Sequence, residues 1–288
     1  MTDLPAVQST LIRWAAECSH VIGDTFDAIV KALESNPIRL EGYHGALRQI
    51  CDSCHLSSES ALILISNQKL WDAESVLRSI TEGTFKFFYL CLGTPSEIEQ
   101  KFRAFDFDLP NINRLKKHVR ITGFLSAIPN PESPEWRPLR DLLLTDDELL
   151  HLRSLYPRTR RRQLEQQWSF HGIISSLAAA KLPGIHKFKH LFYSYGTASH
   201  TVHQDSEGVG MLWERNQRSR ERREAVELAH GAREIGDLSV MAFLRHFASL
   251  HLCGLDTKAA LEDYARQNEM HKEHAAADAY WHQVEYGS

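Results

Sequence analysis

From residue 5 to residue 282, apolar side chains return at every third or fourth position, and no Val/Ile/Thr-rich run alternates at every second one. That regularity excludes most of the fold menu. A period near 3.6 makes one face of a helix apolar, whereas a period of 2 does the same for a strand. The stops agree. Pro37 in "SNP" ends a first helix over 5–34, and helices over 40–66 and 69–93 follow, the latter closed by Gly93-Thr94-Pro95. Shorter helices are expected at about 95–105 and 110–127, followed by "IPNPESPEWRP", too rich in proline to be anything but a loop. Thr145, with Asp146, Asp147 and Glu148 behind it, reads as the cap of a short helix. Further helices are expected over 160–181, 185–204 and 217–253, and from Asp256-Thr257 to about 282. The chain therefore reads as all-α: an irregular multi-helix bundle, 1–288 as a single helical domain, with 129–138 a lobe connection at most.

A hydrophobic share of 43%, a charged share of 24% and a formal net charge of −4 are those of an ordinary globular chain. No global basicity points to nucleic acid, and no apolar run approaches the roughly 18 residues that a membrane span needs. The opening "MTDLPAVQSTLIRW" lacks the basic-then-apolar pattern of an export signal, so a cytoplasmic protein with no membrane partner is expected. Five cysteines, an odd number, make no disulfide framework. "CDSCH" at 51–55 matches a haem-attachment pattern, but it falls in mid-helix and reads as a packed pair of thiols.

The chemistry gathers in "YSYGTASHTVHQD", residues 193–205. On a helix over 185–204, Tyr195 and Ser199 fall on the stripe formed by Phe188, Leu191, Phe192 and Val202, and His203 extends it by a turn. Each four-residue step turns only about 40° around the axis, so the three polar tips line one groove, with His200 and Asp205 beside them. A partner stripe lies in "WDAESVLRSITEGTFKFFYL", residues 71–90. There Arg78 and Glu82 are four apart, on nearly the same face as Trp71, Phe85 and Tyr89. Charges bracketed by large aromatics need each other or a third polar group.

"VLRSITEGTFKFFYL", "QWSFHGIISSLAAAKLPG" and "LFYSYGTASHTVHQDSEG" resemble, in that order, the three blocks of a bacterial all-helical family classed as a domain of unknown function. The matching positions are Arg78 and Glu82; Trp168 and Gly184; and Tyr195, Ser199 and His203, and the resemblance covers roughly 40–255. That family is similar, more loosely, to the HEPN domains of stress and phage-defence ribonucleases, which are metal-independent and usually dimeric. The resemblance implies a homodimer acting on RNA with no cofactor. It casts His203 as general acid or base, Arg78 as the group that stabilises the phosphorane, and Glu82 as their orienter. Tyr195, Ser199, His200, Asp205 and Trp168 would then surround the substrate. The HEPN Arg-x(4–6)-His motif occurs at six places here, none including His203, against about four expected by chance, so it selects no site.

The rival reading is non-enzymatic: a helical ligand-binding or interaction module with a buried polar network. Metal ligation by His186/His190 or His200/His203 is a third. The basic stretches at 157–168 and 214–224 read as solvated faces, the second laced by its own acids, and His271 and His274 read as solvated too. No Gly-rich phosphate loop, nucleophile elbow or dinucleotide fingerprint is present.

Overall fold

The structure, a computed structural model, describes residues 6–179, 195–196, 199–200 and 202–287. Among them the secondary structure is helical, without strands. The helices are α1 (Ala6–Glu34), α2 (Tyr43–Ser66), α3 (Leu70–Cys91), α4 (Pro95–Arg103), α5 (Leu109–Ala127), α6 (Arg137–Arg140), α7 (Asp146–Leu155), α8 (Arg158–Gln167), α9 (Phe170–Ala179), α10 (Ser206–Asn216), α11 (Arg220–Leu252) and α12 (Lys258–Tyr286). The chain divides into two compact units, one formed by Met1–Leu92 with Leu177–Ser288 and the other by Gly93–Ser176. The all-α multi-helix fold is the one the periodicity requires. No described helix is long and apolar enough to cross a membrane.

In the first unit α11 is the central helix, packed against α1, α3 and α12, while α2 packs against α1 and α3. From Gly231 to Leu252 it is buried on nearly every side, as a helix surrounded by others must be. Gly231 permits the crossing with α1: a Cβ there would lie 2.4 Å from Leu11 Cδ2. The apolar stripe of α1, including Leu11, Trp14, Cys18, Ile22 and Ile29, is buried, and each large apolar side chain so buried contributes about 1.5–3 kcal/mol. Cys51 and Cys54 are both buried in mid-helix on α2, and burial pushes the Cys51 thiol up to about 11, away from the reactive thiolate. His274, expected in solvent, is instead buried edge-on to Trp14 with ring centroids 4.7 Å apart. The neighbouring Glu273 accepts from Trp14 Nε1 at 2.8 Å, so this part of α12 lies on α1.

In the second unit, Thr94 and Thr145 cap α4 and α7 through reciprocal bonds with Glu97 and Glu148. A π turn over Ala104–Asp108 carries α4 directly into α5, so the two helices expected here form one continuous run. Pro110, with no N–H to give, sits just beyond that widened turn. The core gathers Ile112, Leu115, Leu144, Leu152 and Tyr156, and the Tyr156 hydroxyl donates to Asp108 at 2.9 Å. The proline-rich segment at 129–138 lies inside this unit, and the unit boundaries fall at 92/93 and 176/177. The helix expected over 160–181 is broken at Trp168-Ser169. Ser169 Oγ accepts from Gly172 N at 3.1 Å and starts α9 afresh. The joint is tight enough that a Cβ on Gly172 would lie 2.0 Å from the carbonyl oxygen of Gln166.

Candidate functional site

Helix α3 sets Glu74, Arg78 and Glu82 at successive four-residue steps, one above another on one face. The Arg78 guanidinium lies over the ring of Tyr195, 4.6 Å from its centroid, and Nη2 donates to the phenol oxygen at 3.2 Å. That hydroxyl in turn donates to Glu82 Oε1 at 2.6 Å. Tyr195 is thus the third polar group that the α3 pair needs, a bridge between cation and carboxylate. Burial first, and then the bond to Glu82, raise the phenol's pKa, so it remains a proton donor at neutral pH.

The other predicted residues part company. Most of the 185–204 helix, with His186 and His190, lies outside the described residues. Ser199 is half-buried. His203 is exposed rather than an extension of the apolar stripe, and its ring makes no hydrogen bond or ion pair among the described residues. Asp205 caps α10, accepting from Glu207 N at 3.1 Å and Gly208 N at 3.0 Å, and its other oxygen lies 2.7 Å from His200 Nδ1. The bond to Asp205 raises the His200 pKa; the Gly208 amide, then His200, lower that of Asp205. Trp168 belongs to the second unit, buried beside Phe105 with ring centroids 5.6 Å apart. There Arg160 of the basic stretch lies 3.7 Å from Asp108 and over Tyr156.

Sequence reasoning missed a larger polar seam between α3 and α11. Arg233 reaches Glu74 at 3.0 Å and Asp237 at 3.3 Å, and both carboxylates are 3% exposed. Burial opposes the Arg233 charge, but Asp237 and Glu74 outweigh it and hold the guanidinium protonated. His230 Nε2 lies 3.3 Å from Glu234 Oε1, and Glu234 is fully buried with no hydrogen bond to either oxygen. Desolvation drives Glu234 well up and His230 well down, so burial favours the protonated carboxyl and the neutral imidazole. The signal was present: His230, Arg233, Glu234 and Asp237 recur at helical spacing on one face of α11.

The seam separates two spaces. On one side is a small cavity lined by Glu74, Leu77, Arg78, Thr81, Tyr195 and Arg233. On the other, an open groove of about 460 Å³ runs between α3, α10, α11 and α12, with Trp71, Arg215, His230, Arg233 and Trp281 among its walls. Arg215 lies over Trp71, 3.8 Å from the ring centroid, and Nη1 is sealed from solvent without an acceptor. Burial pushes its pKa down to about 10. The rest of the 214–224 stretch is laced by acids as its sequence implies, with Arg218–Glu214 at 2.9 Å and Arg220–Glu224 at 2.7 Å. Among the described residues no group of three or more His, Cys, Asp or Glu side chains is placed to hold a metal ion. No family model, curated protein or solved structure matches the chain.

Proposed function

We propose that this chain is a small-ligand-binding helical protein, with its ligand in the groove between α3, α10, α11 and α12. The Arg78–Tyr195–Glu82 bridge acts as a brace behind it. The observation that carries this reading is the buried seam at the groove wall, where Glu74, His230 and Arg233 line the groove and Glu234 and Asp237 are buried behind them. Burying ionisable groups costs several kcal/mol per ion unless geometry or function offsets it. Perturbed groups lining a concave surface of ligand size are the usual mark of a binding site. RNA cleavage by the predicted residues asks Arg78 and His203 to meet on one phosphate. Arg78 is committed to Tyr195 and His203 is exposed without a described partner, which favours the ligand-binding reading.

The test is thermal denaturation of the wild type and Ala229→Trp, which fills the groove from α11, against a panel of charged and neutral metabolites. At least one compound class raises the wild-type Tm by several degrees and leaves Ala229→Trp unmoved, as binding to the native state requires. A panel without shifts, or equal shifts in both proteins, overturns the reading. In parallel, wild type and His203→Ala are incubated with a mixed RNA pool in EDTA. Fragments that appear with the wild type and vanish with the variant would install the nuclease in its place.

A further inference from the structure

The cations that line the groove are unequal. Arg218 is matched by Glu214 at 2.9 Å and Glu285 at 3.3 Å, and Arg233 by Glu74 at 3.0 Å and Asp237 at 3.3 Å. Arg215 makes no hydrogen bond or ion pair among the described residues, only its contact with the face of Trp71. Stacking uses the face of a guanidinium and leaves its edge donors unspent. Of the three arginines in the groove walls, Arg215 is the one without a carboxylate partner among the described residues.

We infer that Arg215 anchors an anion subsite in this groove, taking the carboxylate or phosphate of an organic anion whose planar apolar body lies along Trp281. This rests on the groove being the ligand site. Three observations support it. The planar fork of an arginine matches a carboxylate or phosphate oxygen pair, and the Arg215 fork has no oxygen partner of its own. A volume of about 460 Å³ is far larger than an inorganic ion, and Trp71, Met211, Val226 and Trp281 give it apolar surface. Burial lowers the Arg215 pKa only to about 10, so at neutral pH the guanidinium keeps its full positive charge for an anion. Trp71 is covered by Arg215 and by His230, the latter at 4.3 Å between ring centroids. Trp281 meets His282 and Tyr286 at 4.7 and 5.7 Å and carries no cation among the described residues, so it is the groove ring assigned to the ligand body.

The experiment uses the full chain and four probes: 1-naphthyl phosphate, 1-naphthoate, 1-naphthol and inorganic phosphate, followed by tryptophan fluorescence and calorimetry. The wild type binds the two aromatic anions at least tenfold tighter than naphthol, and inorganic phosphate more weakly than either. Arg215→Gln, melting within a few degrees of the wild type, loses the tenfold preference; Arg215→Lys keeps part of it. Trp281→Ala weakens all three naphthalenes alike. Should Arg215→Gln melt far below the wild type, Arg215→Lys carries the comparison: an anion preference that is reduced but kept supports the subsite, and one undiminished from the wild type overturns it. Naphthol bound as tightly as the anions by the wild type overturns the subsite while leaving the groove in place. So does an anion preference that survives Arg215→Gln. If none of the probes and none of the metabolite panel binds, the groove reading falls first and this one with it.

Discussion

Arg78 and Arg215 both lay a guanidinium over an aromatic ring in the same unit, at 4.6 Å and 3.8 Å from the centroid, yet their surroundings differ. Arg78 leaves Nη1 buried without an acceptor just as Arg215 does, but its Nη2 meets a phenol oxygen that is itself bonded to a carboxylate. Arg215 meets only a ring face, and burial depresses its pKa. Two half-buried arginines on aromatic rings are chemically alike until their acceptors are counted. One is architecture, and the other is a donor set awaiting an acceptor.

Removing each cation separates the two roles. Arg78→Ala removes the donor to the phenol and the cation over its ring, leaving Glu82 with Tyr195 and Lys86, and should cost about 2 kcal/mol, a fall in Tm on the order of 5 °C by calorimetry. Tyr195→Phe keeps the ring beneath Arg78 and deletes only the bridging hydroxyl, so about 1–2 kcal/mol is expected from urea denaturation. Arg215→Gln should change stability by less than about 1 kcal/mol, because no internal acceptor is abandoned. A larger loss there would place Arg215 with Arg78 and dissolve the contrast.

Two pH experiments sharpen the comparison on smaller scales. Glu234 has a folded pKa above its unfolded value, so its ionisation penalty is absent below the ordinary carboxyl range and grows as pH rises. Glu234→Gln should therefore raise the Tm by one or two degrees at pH 8 and change it little at pH 5. His200 has a raised pKa, so its contribution to the α10 cap is present below the ordinary value of 6.5 and is lost as pH rises through the folded one. Asp205 works in reverse, contributing above its ordinary value of 3.8 and losing that contribution as pH falls. The His200 imidazole should titrate by NMR above 6.5 and return toward that value in Asp205→Asn.

The helices were legible because burial selects apolar residues at helical spacing, and the caps at Thr94 and Thr145 carry recognisable side chains. Arg78, Glu82 and Tyr195 were legible for the complementary reason: polar groups set in an apolar stripe must find one another. His203 misled because a stripe continued by one more turn has the same periodicity whether or not the bundle still covers it. Of the Glu74–Arg233–Asp237 seam, the α11 half is written in the sequence at helical spacing, but its partner Glu74 was hidden, because periodicity does not reveal which helix faces which. The break at Ser169 was hidden as well, since a serine that caps and a serine that rides inside a helix read alike. Only the 2.0 Å approach of a Gly172 Cβ to Gln166 explains why the bend needs that glycine.

Glu285, near the end of α12, lies 3.3 Å from Arg218 and accepts from Arg222 at 2.6 Å, holding the helix that carries Trp281 and Asp278 against the rest of the groove. Physiological salt screens exposed charge over about 8 Å, but it reaches a sheltered pair far less. Glu285 is 10% exposed and Arg218 16%. The wall that carries Trp281 is therefore fastened by a clasp that dissolved ions loosen far less than they would one at the surface.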